Sequence, residues 1–492
     1  MVNALSPAAV AALRREYEAA KPYAHAVIPN LCNPADARAM LAEIQSLSGT
    51  LKETDLFKVY QTGDLANADD DDAEHVAKLG TLLRLRRELN SPAFKKVIED
   101  ITGCGPLSST VDLSANVYAL GGHLLCHDDV ISTRKVSYIV YLSDPDEPWT
   151  PQDGGRLELY AGDGLVPDPE PSARVPPAFN TMALFVVQPG VSFHSVEEVR
   201  VPNKPRVSLQ GWFHAATAPE GAAEKASLQQ LLATHSPAPF APLPEGVHCA
   251  LSAADVAELR EWVNPTFLTS AAMKQICERC ETADACVSLV KFLRPDVSAR
   301  LQAAMRASET GAWSVVGPAH MRRYMRLGAA ADEWTRALRD LERTKLQSPA
   351  FVRFLERVTA LRLRGVQAEV RRFRRGSDYT VATAAGVSAH GELDVTLCFV
   401  DGDADAWASG EVGGFDLYLE REPDETGDVA AVYSRDQDGE GLVSIDAAFG
   451  TLSIVLRDAA RMHFVKYVAH GAPSDRYDVA AVFECAEEEE AE

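Results

Sequence analysis

His127, Asp129 and, far downstream, His194 are the residues whose types and spacing can do chemistry. Two imidazoles and one carboxylate make a facial three-ligand set. It grips a first-row metal from one side and leaves the opposite positions open, which suits Fe(II) that must take a co-substrate and oxygen. The flanking residues 116–125 and 136–142 are rich in apolar and β-branched types, so the segment predicts a strand. On a strand, His127 and Asp129 would leave the same face, roughly 7 Å apart at the root. Arg206 follows His194 by twelve residues, inside the alternating run 205–213. An arginine projecting inward from such a strand is costly to bury alone, and a dicarboxylate supplies its partner through a bidentate pair. Tyr141 and Tyr118 can add phenol hydrogen bonds and Ser208 can face the same carboxylate, although each also suits plain core packing. A His-x-Asp pair by itself is common at surfaces; the combination with His194 and Arg206 points to an oxygenase.

These residues need a scaffold that brings distant strands to one mouth. Short alternating strands, glycine-containing turns and the long-range His pair predict a double-stranded β-helix, a jelly-roll barrel preceded by helices. A self-comparison extends this to the whole chain. Leu89-Asn90-Ser91-Pro92-Ala93-Phe94 recurs as Leu346-Gln347-Ser348-Pro349-Ala350-Phe351. Each predicts a helix start with Ser as N-cap and Pro at the first helical position, where its missing N–H costs nothing. A strand follows at Tyr118 and again at Phe373, and Gly154-Gly155-Arg156-Leu157-Glu158-Leu159-Tyr160 matches Gly413-Gly414-Phe415-Asp416-Leu417-Tyr418-Leu419. Residues 181–199 then match 451–468 with one deletion, and Arg206 falls on Arg476. Counted from Tyr118 and Phe373, His127 becomes Ala382 and Asp129 becomes Ala384; His463 and Arg476 persist without metal-binding partners.

The expected fold class is therefore α+β, with two tandem double-stranded β-helix (jelly-roll) domains flanked by helices, the N-terminal one catalytic. Residues 1–216 form the catalytic domain. Residues 217–246 hold a helical pattern (222–232) and a Pro-rich spacer (236–244) that cannot continue a helix or a central strand. Residues 247–485 form the degenerate copy, and 486–492 an acidic tail.

Bulk properties agree with two cores. A chain of 492 residues is too long for one ordinary domain, and 46% apolar with 24% charged residues is a soluble globular composition. No apolar run approaches the ~20 residues of a membrane span. Residues 1–18 are an Ala-rich helical pattern without a signal-peptide core. Nine scattered cysteines suit reduced thiols. Cys277, Cys280 and Cys286 hint at zinc, but residues 270–293 predict one helix and no second ligand pair stands nearby. A net charge of −23 disfavours non-specific nucleic-acid binding and favours a basic partner. Residues 57–65 predict two short strands around a turn that run into the acidic residues 69–72, a run that would attract a basic partner or merely solvate the surface.

Leu124-Leu125-Cys126-His127-Asp128-Asp129, Ser137-Tyr138-Ile139-Val140-Tyr141-Leu142, Phe193-His194-Ser195-Val196-Glu197-Glu198-Val199 and residues 206–214 resemble the 2-oxoglutarate- and Fe(II)-dependent prolyl hydroxylases of ribosomal protein. That family is known in yeast through a translation-termination and polyadenylation factor, and the resemblance covers nearly the whole chain. It implies His127, Asp129 and His194 as iron ligands and 2-oxoglutarate held by Arg206 with Tyr141 and Tyr118. It also implies O2 as co-substrate, with ascorbate supporting turnover, and for residues 57–65 a substrate lid. The implied substrate is a proline of the small-subunit ribosomal protein beside the decoding centre, hydroxylated at C3, with a second hydroxyl in some members and consequences for translation accuracy and termination. The expected partner is thus a basic ribosomal protein, without membrane or direct nucleic-acid contact, in the nucleus or cytoplasm. Two alternatives stand beside it: a scaffold in a translation-termination or mRNA-decay complex, and a hydroxylase acting on a transcription-factor proline in oxygen sensing.

Overall fold

A computed structural model describes the chain except for residues 48, 66–72, 165, 219–238, 245–246, 283–284, 309–311, 383–386, 388–390, 421–441, 459–460 and 487–492. The expected helix at 222–232, the acidic residues 69–72, Ala384 and the acidic tail lie outside the described residues. The chain divides into two compact units, the first built mainly from Met1–Leu228 and the second from Gln229–Val316, Met321–Glu425 and Arg435–Glu492.

The first unit is a curled antiparallel sheet with helices on one face. In sheet order its strands are His25–Ile28, Thr181–Val186, Arg134–Tyr141, Arg206–His214, Ser114–Tyr118, Phe57–Gln61, His123–His127, His194–Val196, Leu157–Leu159 and Ala173–Val175. Strand alternation sorts the two faces. Val207, Leu209 and Phe213, with Val136, Tyr138 and Val140, pack against Leu13 and Tyr17 of helix Pro7–Ala19, Met40 and Ile44 of Pro34–Gln45, Leu82 and Leu85 of Ala73–Leu89, and Phe94 and Ile98 of Pro92–Thr102. The intervening residues, Arg206, Ser208, Gln210 and Trp212 on one strand and Ser137, Ile139 and Tyr141 on its neighbour, face the other way. On that inner face Ile139 and Tyr141 share a cluster with Leu157 and Leu159 from the far end of the strand order, so the sheet curls back on itself.

The second unit repeats this plan. Cys286–Leu289, Thr451–Arg457, Glu392–Phe399, Arg476–Cys485, Leu363–Phe373 and Arg322–Leu327 adjoin in the same relative order as the first six strands above, and Leu442–Ile445, Asp416–Glu420 and Arg461–Val465 form a separate three-stranded sheet. The matched helix starts behave as their sequences dictate. Ser91 and Ser348 each cap a helix, Pro92–Thr102 and Pro349–Thr359, with the hydroxyl accepting from the backbone N–H of Phe94 and Phe351. The double-glycine turns match too: Gly154 and Gly413 have φ of 73° and 68°, and an added Cβ would lie 1.9 Å from Glu198 O and 1.8 Å from Tyr467 O, respectively.

Three expected elements are drawn differently. Residues 116–125 are not one strand: Ser114–Tyr118 ends before a turn at Gly121 (φ 79°), and His123–His127 begins anew. The hairpin before the barrel pairs Thr50–Glu53 with Phe57–Gln61, so its turn is at Thr54, where the side-chain oxygen accepts from the N–H of Leu56 and Phe57, and Gly63 lies beyond it. Residues 270–293 are not one helix. Ser270–Cys280 stops, and Cys286–Leu289 is a strand paired with Thr451–Arg457, where β-branched Val287 packs in the core. Among the Pro-rich residues, Ala241–Pro242 forms a two-residue strand on Gly365 and Val366.

Candidate metal and co-substrate site

His127 closes the strand His123–His127 and pairs in register with His194 of the neighbouring strand. Asp129 lies beyond the strand with φ of 63°, the left-handed region that Asp tolerates better than most residues. The shared-face expectation for this pair therefore fails. The chain leaves the sheet after His127, and the left-handed turn brings the carboxylate back against both imidazoles. Asp129 Oδ1 is 3.3 Å from His127 Nε2 and Oδ2 is 3.3 Å from His194 Nε2. The ligand atoms of the three residues lie within 4.8 Å of one another, the one such group of His, Cys, Asp or Glu among the described residues. Ligands held about 2.1 Å from one ion at right angles sit about 3 Å apart, so the set fits a single metal.

Each imidazole is oriented from behind. His127 Nδ1 contacts the Leu125 carbonyl and His194 Nδ1 the Ser192 carbonyl, both at 2.8 Å. With Nδ1 donating to a carbonyl, Nε2 keeps its lone pair for the carboxylate side. Burial opposes the charge on Asp129, but the imidazoles of His194 and His127 outweigh it and hold the carboxyl well below the ordinary range. Burial likewise works against a proton on His127, and Asp129 overrides it, so this imidazole is raised. Both directions describe a pocket that stabilises a positive charge beside Asp129. Ser137 Oγ and Trp212 Nε1 each donate to Asp129 Oδ2 at 3.0 Å, fixing the carboxylate. The sequence reading missed both, although the alternation that turns Arg206 inward also turns Trp212 inward, and Ser137 is its register partner.

Farther along the same face, Arg206 stands opposite Tyr118, and Ser208 opposite Tyr141. Arg206 is 1% exposed. Its Nε donates to the Gly155 carbonyl at 2.7 Å and its Nη1 to Ser208 Oγ at 3.1 Å, and the guanidinium lies 4.9 Å and 5.1 Å from the rings of Tyr118 and Tyr141. Gly155 allows this approach: a Cβ there would come within 3.1 Å of Arg206 Cδ. Arg206 Nη2 and the Tyr141 hydroxyl are buried near one another, and neither makes a well-formed hydrogen bond to a third group among the described residues. Burial pushes Tyr118 up to about 12 against the pull of Arg206, and raises Tyr141 as well, so both phenols stay protonated donors at neutral pH. A cation with a spare N–H beside phenol donors is a cradle for a carboxylate.

The matching place in the second unit is filled from within. Arg476 stands opposite Phe373, as Arg206 stands opposite Tyr118. Its Nη1 donates to the Gly414 carbonyl, and its Nη2 donates to Asp416 Oδ2 at 2.7 Å and Asp478 Oδ2 at 2.8 Å. Asp416 takes the place of Leu157 and Asp478 that of Ser208, so two side-chain carboxylates stand where the first unit offers none. His463 Nε2 donates to Asp416 Oδ1 (2.9 Å), and the ring stacks on Tyr418, 4.3 Å between ring centroids. Ala382 is buried and carries no ligand atom.

Residues 113–214 match the 2OG-Fe(II) oxygenase superfamily model, and residues 254–492 match one described as oxoglutarate and iron-dependent oxygenase degradation C-term. The chain is 37% identical over 488 residues to prolyl 3,4-dihydroxylase OGFOD1 of Ostreococcus tauri, covering 93% of this chain and 94% of that protein. The chain belongs to the OGFOD1 family of 2-oxoglutarate- and iron-dependent oxygenases. It is also 28% identical to prolyl 3-hydroxylase OGFOD1 of Xenopus laevis (91% of this chain, 84% of that one) and 26% identical to prolyl 3-hydroxylase sudestada1 of Drosophila melanogaster (94% and 82%). Fe(II) and 2-oxoglutarate are accordingly its cofactor and co-substrate. The donor set agrees: two imidazoles and a carboxylate for the metal, and a buried arginine with an unpaired N–H for a dicarboxylate.

Proposed function

We propose that the first unit is a prolyl hydroxylase centre in which His127, Asp129 and His194 hold Fe(II) while Arg206, with Tyr141, Tyr118 and Ser208, holds the far carboxylate of 2-oxoglutarate. The observation that carries this reading is the contrast between two equivalent arginines. Arg206 donates to a carbonyl and a hydroxyl, with Nη2 left over, and Arg476 is neutralised by its own aspartates. Iron, O2 and 2-oxoglutarate together supply the oxidation, which yields succinate and CO2 and puts one oxygen atom on a C–H bond of the substrate. The chain supplies placement. Arg206 fixes one end of the co-substrate, the carbonyls behind His127 and His194 fix the imidazoles, and Ser137 and Trp212 fix the carboxylate.

We further infer a tandem pair of double-stranded β-helix domains, residues 1–216 and 247–485 joined by 217–246, of which the second is catalytically silent. The matching strand order and glycine turns support this. The names of the relatives support proline as the target residue, and the net charge of −23 suits a basic protein such as the small-subunit ribosomal protein. Hydroxylation at C3, with a second hydroxylation as in the name of the Ostreococcus relative, is the chemistry we assign. The test is mass spectrometry of a proline-containing peptide from that ribosomal protein after incubation with the enzyme, Fe(II) and 2-oxoglutarate. A gain of one or two oxygen atoms on the proline, matched by succinate, is expected. Succinate formation indifferent to the peptide, or oxygen on another residue, would overturn the assignment.

A further inference from the structure

A chain of net charge −23 carries a groove of the opposite sign. Helices Ala253–Leu259, Ser270–Cys280 and Pro349–Thr359 of the second unit border an open groove of about 810 Å³. Four arginines line it, Arg260, Arg353, Arg357 and Arg362, against one carboxylate, Glu356. Arg353 and Arg357 stand four apart on Pro349–Thr359 and so leave one face of that helix. The fold does not engage the four equally. Arg353 Nη1 donates to Asp255 Oδ1 at 2.6 Å and its Nε to the Val247 carbonyl at 3.0 Å. Arg362 shares Glu356 with His248, its Nη1 lying 3.5 Å from Oε2. Arg260 and Arg357 are exposed and form no ion pair among the described residues. Two helix ends also border the groove, at Ser270 and Ala360. The first turn of a helix favours an anion and the last turn disfavours one, so these offset each other and the arginines set the sign.

The chain begins an anionic segment at the edge of this groove. The strand Arg476–Cys485 ends there, and the N–H of Ala486 donates to the Arg362 carbonyl at 2.8 Å. Glu487-Glu488-Glu489-Glu490-Ala491-Glu492 follows, outside the described residues. Six residues reach at most about 20 Å. A tethered segment meets its site at an effective concentration on the order of millimolar. Surface ion pairs too weak to hold a separate peptide can therefore hold this one. Guanidinium groups suit the task, because each presents a fork to a carboxylate. We propose that Arg260, Arg357 and Arg362 form a docking groove for the chain's own acidic residues 487–490, engaged through carboxylate–guanidinium pairs.

Cys249 lines the same groove and is exposed, so its alkylation reports whether the groove is covered. The test treats the full chain with N-ethylmaleimide, a neutral reagent, at low salt and follows labelling at each cysteine by mass spectrometry. Glu487→Gln, Glu488→Gln, Glu489→Gln and Glu490→Gln introduced together should speed labelling of Cys249 roughly threefold or more, and added salt should bring the wild type to the same rate. Arg260→Glu with Arg357→Glu should speed it equally. Cys398 and Cys485, buried in the second unit, should stay unlabelled in every variant and so report that the fold is kept. The glutamine variant changes no residue that lines the groove, so it remains decisive should the arginine variant fail to fold. Equal Cys249 rates in the wild type and the glutamine variant at low salt would overturn the proposal. Acceleration by the glutamines but not by the folded arginine variant would also overturn it, since the cover would then not depend on the groove. A wild-type rate that falls as protein concentration rises would overturn it too, by making a second copy the occupant.

Discussion

Arg206 owes its reactivity toward a dicarboxylate to what its neighbours lack. Val207 and Leu209, on either side of Ser208, turn into the helix-packed core, Ser208 gives it only a hydroxyl, and Gly155 only a carbonyl. Removing one partner of a buried charge-assisted pair costs about 2–5 kcal/mol. Arg206→Ala should thus raise the 2-oxoglutarate dissociation constant by a factor of roughly 30 to 5000, read by titration of the metal-loaded protein. Arg206→Lys should restore part of this, because a point charge lacks the guanidinium fork; an unchanged constant in the alanine variant would contradict the role. At this scale the sequence was legible wherever residue type carries the meaning: His127, Asp129 and His194 converge, and Tyr118 and Tyr141 flank the Arg206 guanidinium. The route by which Asp129 arrives was not legible, because a left-handed φ is a property of one turn and leaves no periodic trace. Trp212 and Ser137 were within reach of the alternation rule but reveal themselves only once the register sets them opposite one another.

Turns and edges decide whether these elements deliver their residues. Gly154 takes a φ of 73° with Glu198 O against its missing Cβ, and the next residue offers the carbonyl that Arg206 holds. Gly154→Ala would meet left-handed strain of about 1–2 kcal/mol as well as that clash. We expect a lowered melting temperature together with weakened 2-oxoglutarate binding; a variant that melts earlier but binds normally would sever the turn from the site. In the second unit, burial works against the Asp416 charge, but Arg476 and His463 prevail and hold the carboxyl below the ordinary carboxylate range. A depressed folded-state pKa stabilises fully above the unfolded value of about 3.9 and is lost as pH falls through the folded value. Asp416→Asn should therefore cost about 3 kcal/mol at neutral pH by stranding a buried charge, with the deficit narrowing below about pH 4. Denaturant midpoints across that range check it, and a pH-independent deficit would contradict it. The repeated Ser-Pro helix starts were legible because capping is local. The end of Ser270–Cys280 was not, since the strand that follows it pairs with a partner far along the chain; the hairpin turn at Thr54 was local, but its threonine cap is a weaker signal than Gly63.

At the scale of the whole molecule, we propose that the chemistry is concentrated in the first of the two units. The duplication we propose was readable from matched motifs, and the like order of six strands in the two units supports it. That Asp416 and Asp478 would fill the second arginine's place was not readable, because it depends on which face each carboxylate leaves. The net charge of −23 should steer a basic substrate peptide to the enzyme. Its apparent Michaelis constant should rise as salt screens the attraction, whereas 2-oxoglutarate turnover without peptide should change little. Replacing the aspartates of residues 69–72 by serine should flatten that salt dependence; equal kinetics at low salt would leave the run without a part in substrate encounter. The central claim, that the chain carries one working iron site and that it lies in the first unit, is tested most directly by metal analysis after anaerobic loading with Fe(II) and removal of the excess. One equivalent per chain is predicted for the wild type and for His463→Ala, and loss of that equivalent, with the fold retained, in Asp129→Ala. Two equivalents in the wild type, or one retained in Asp129→Ala, would contradict the account.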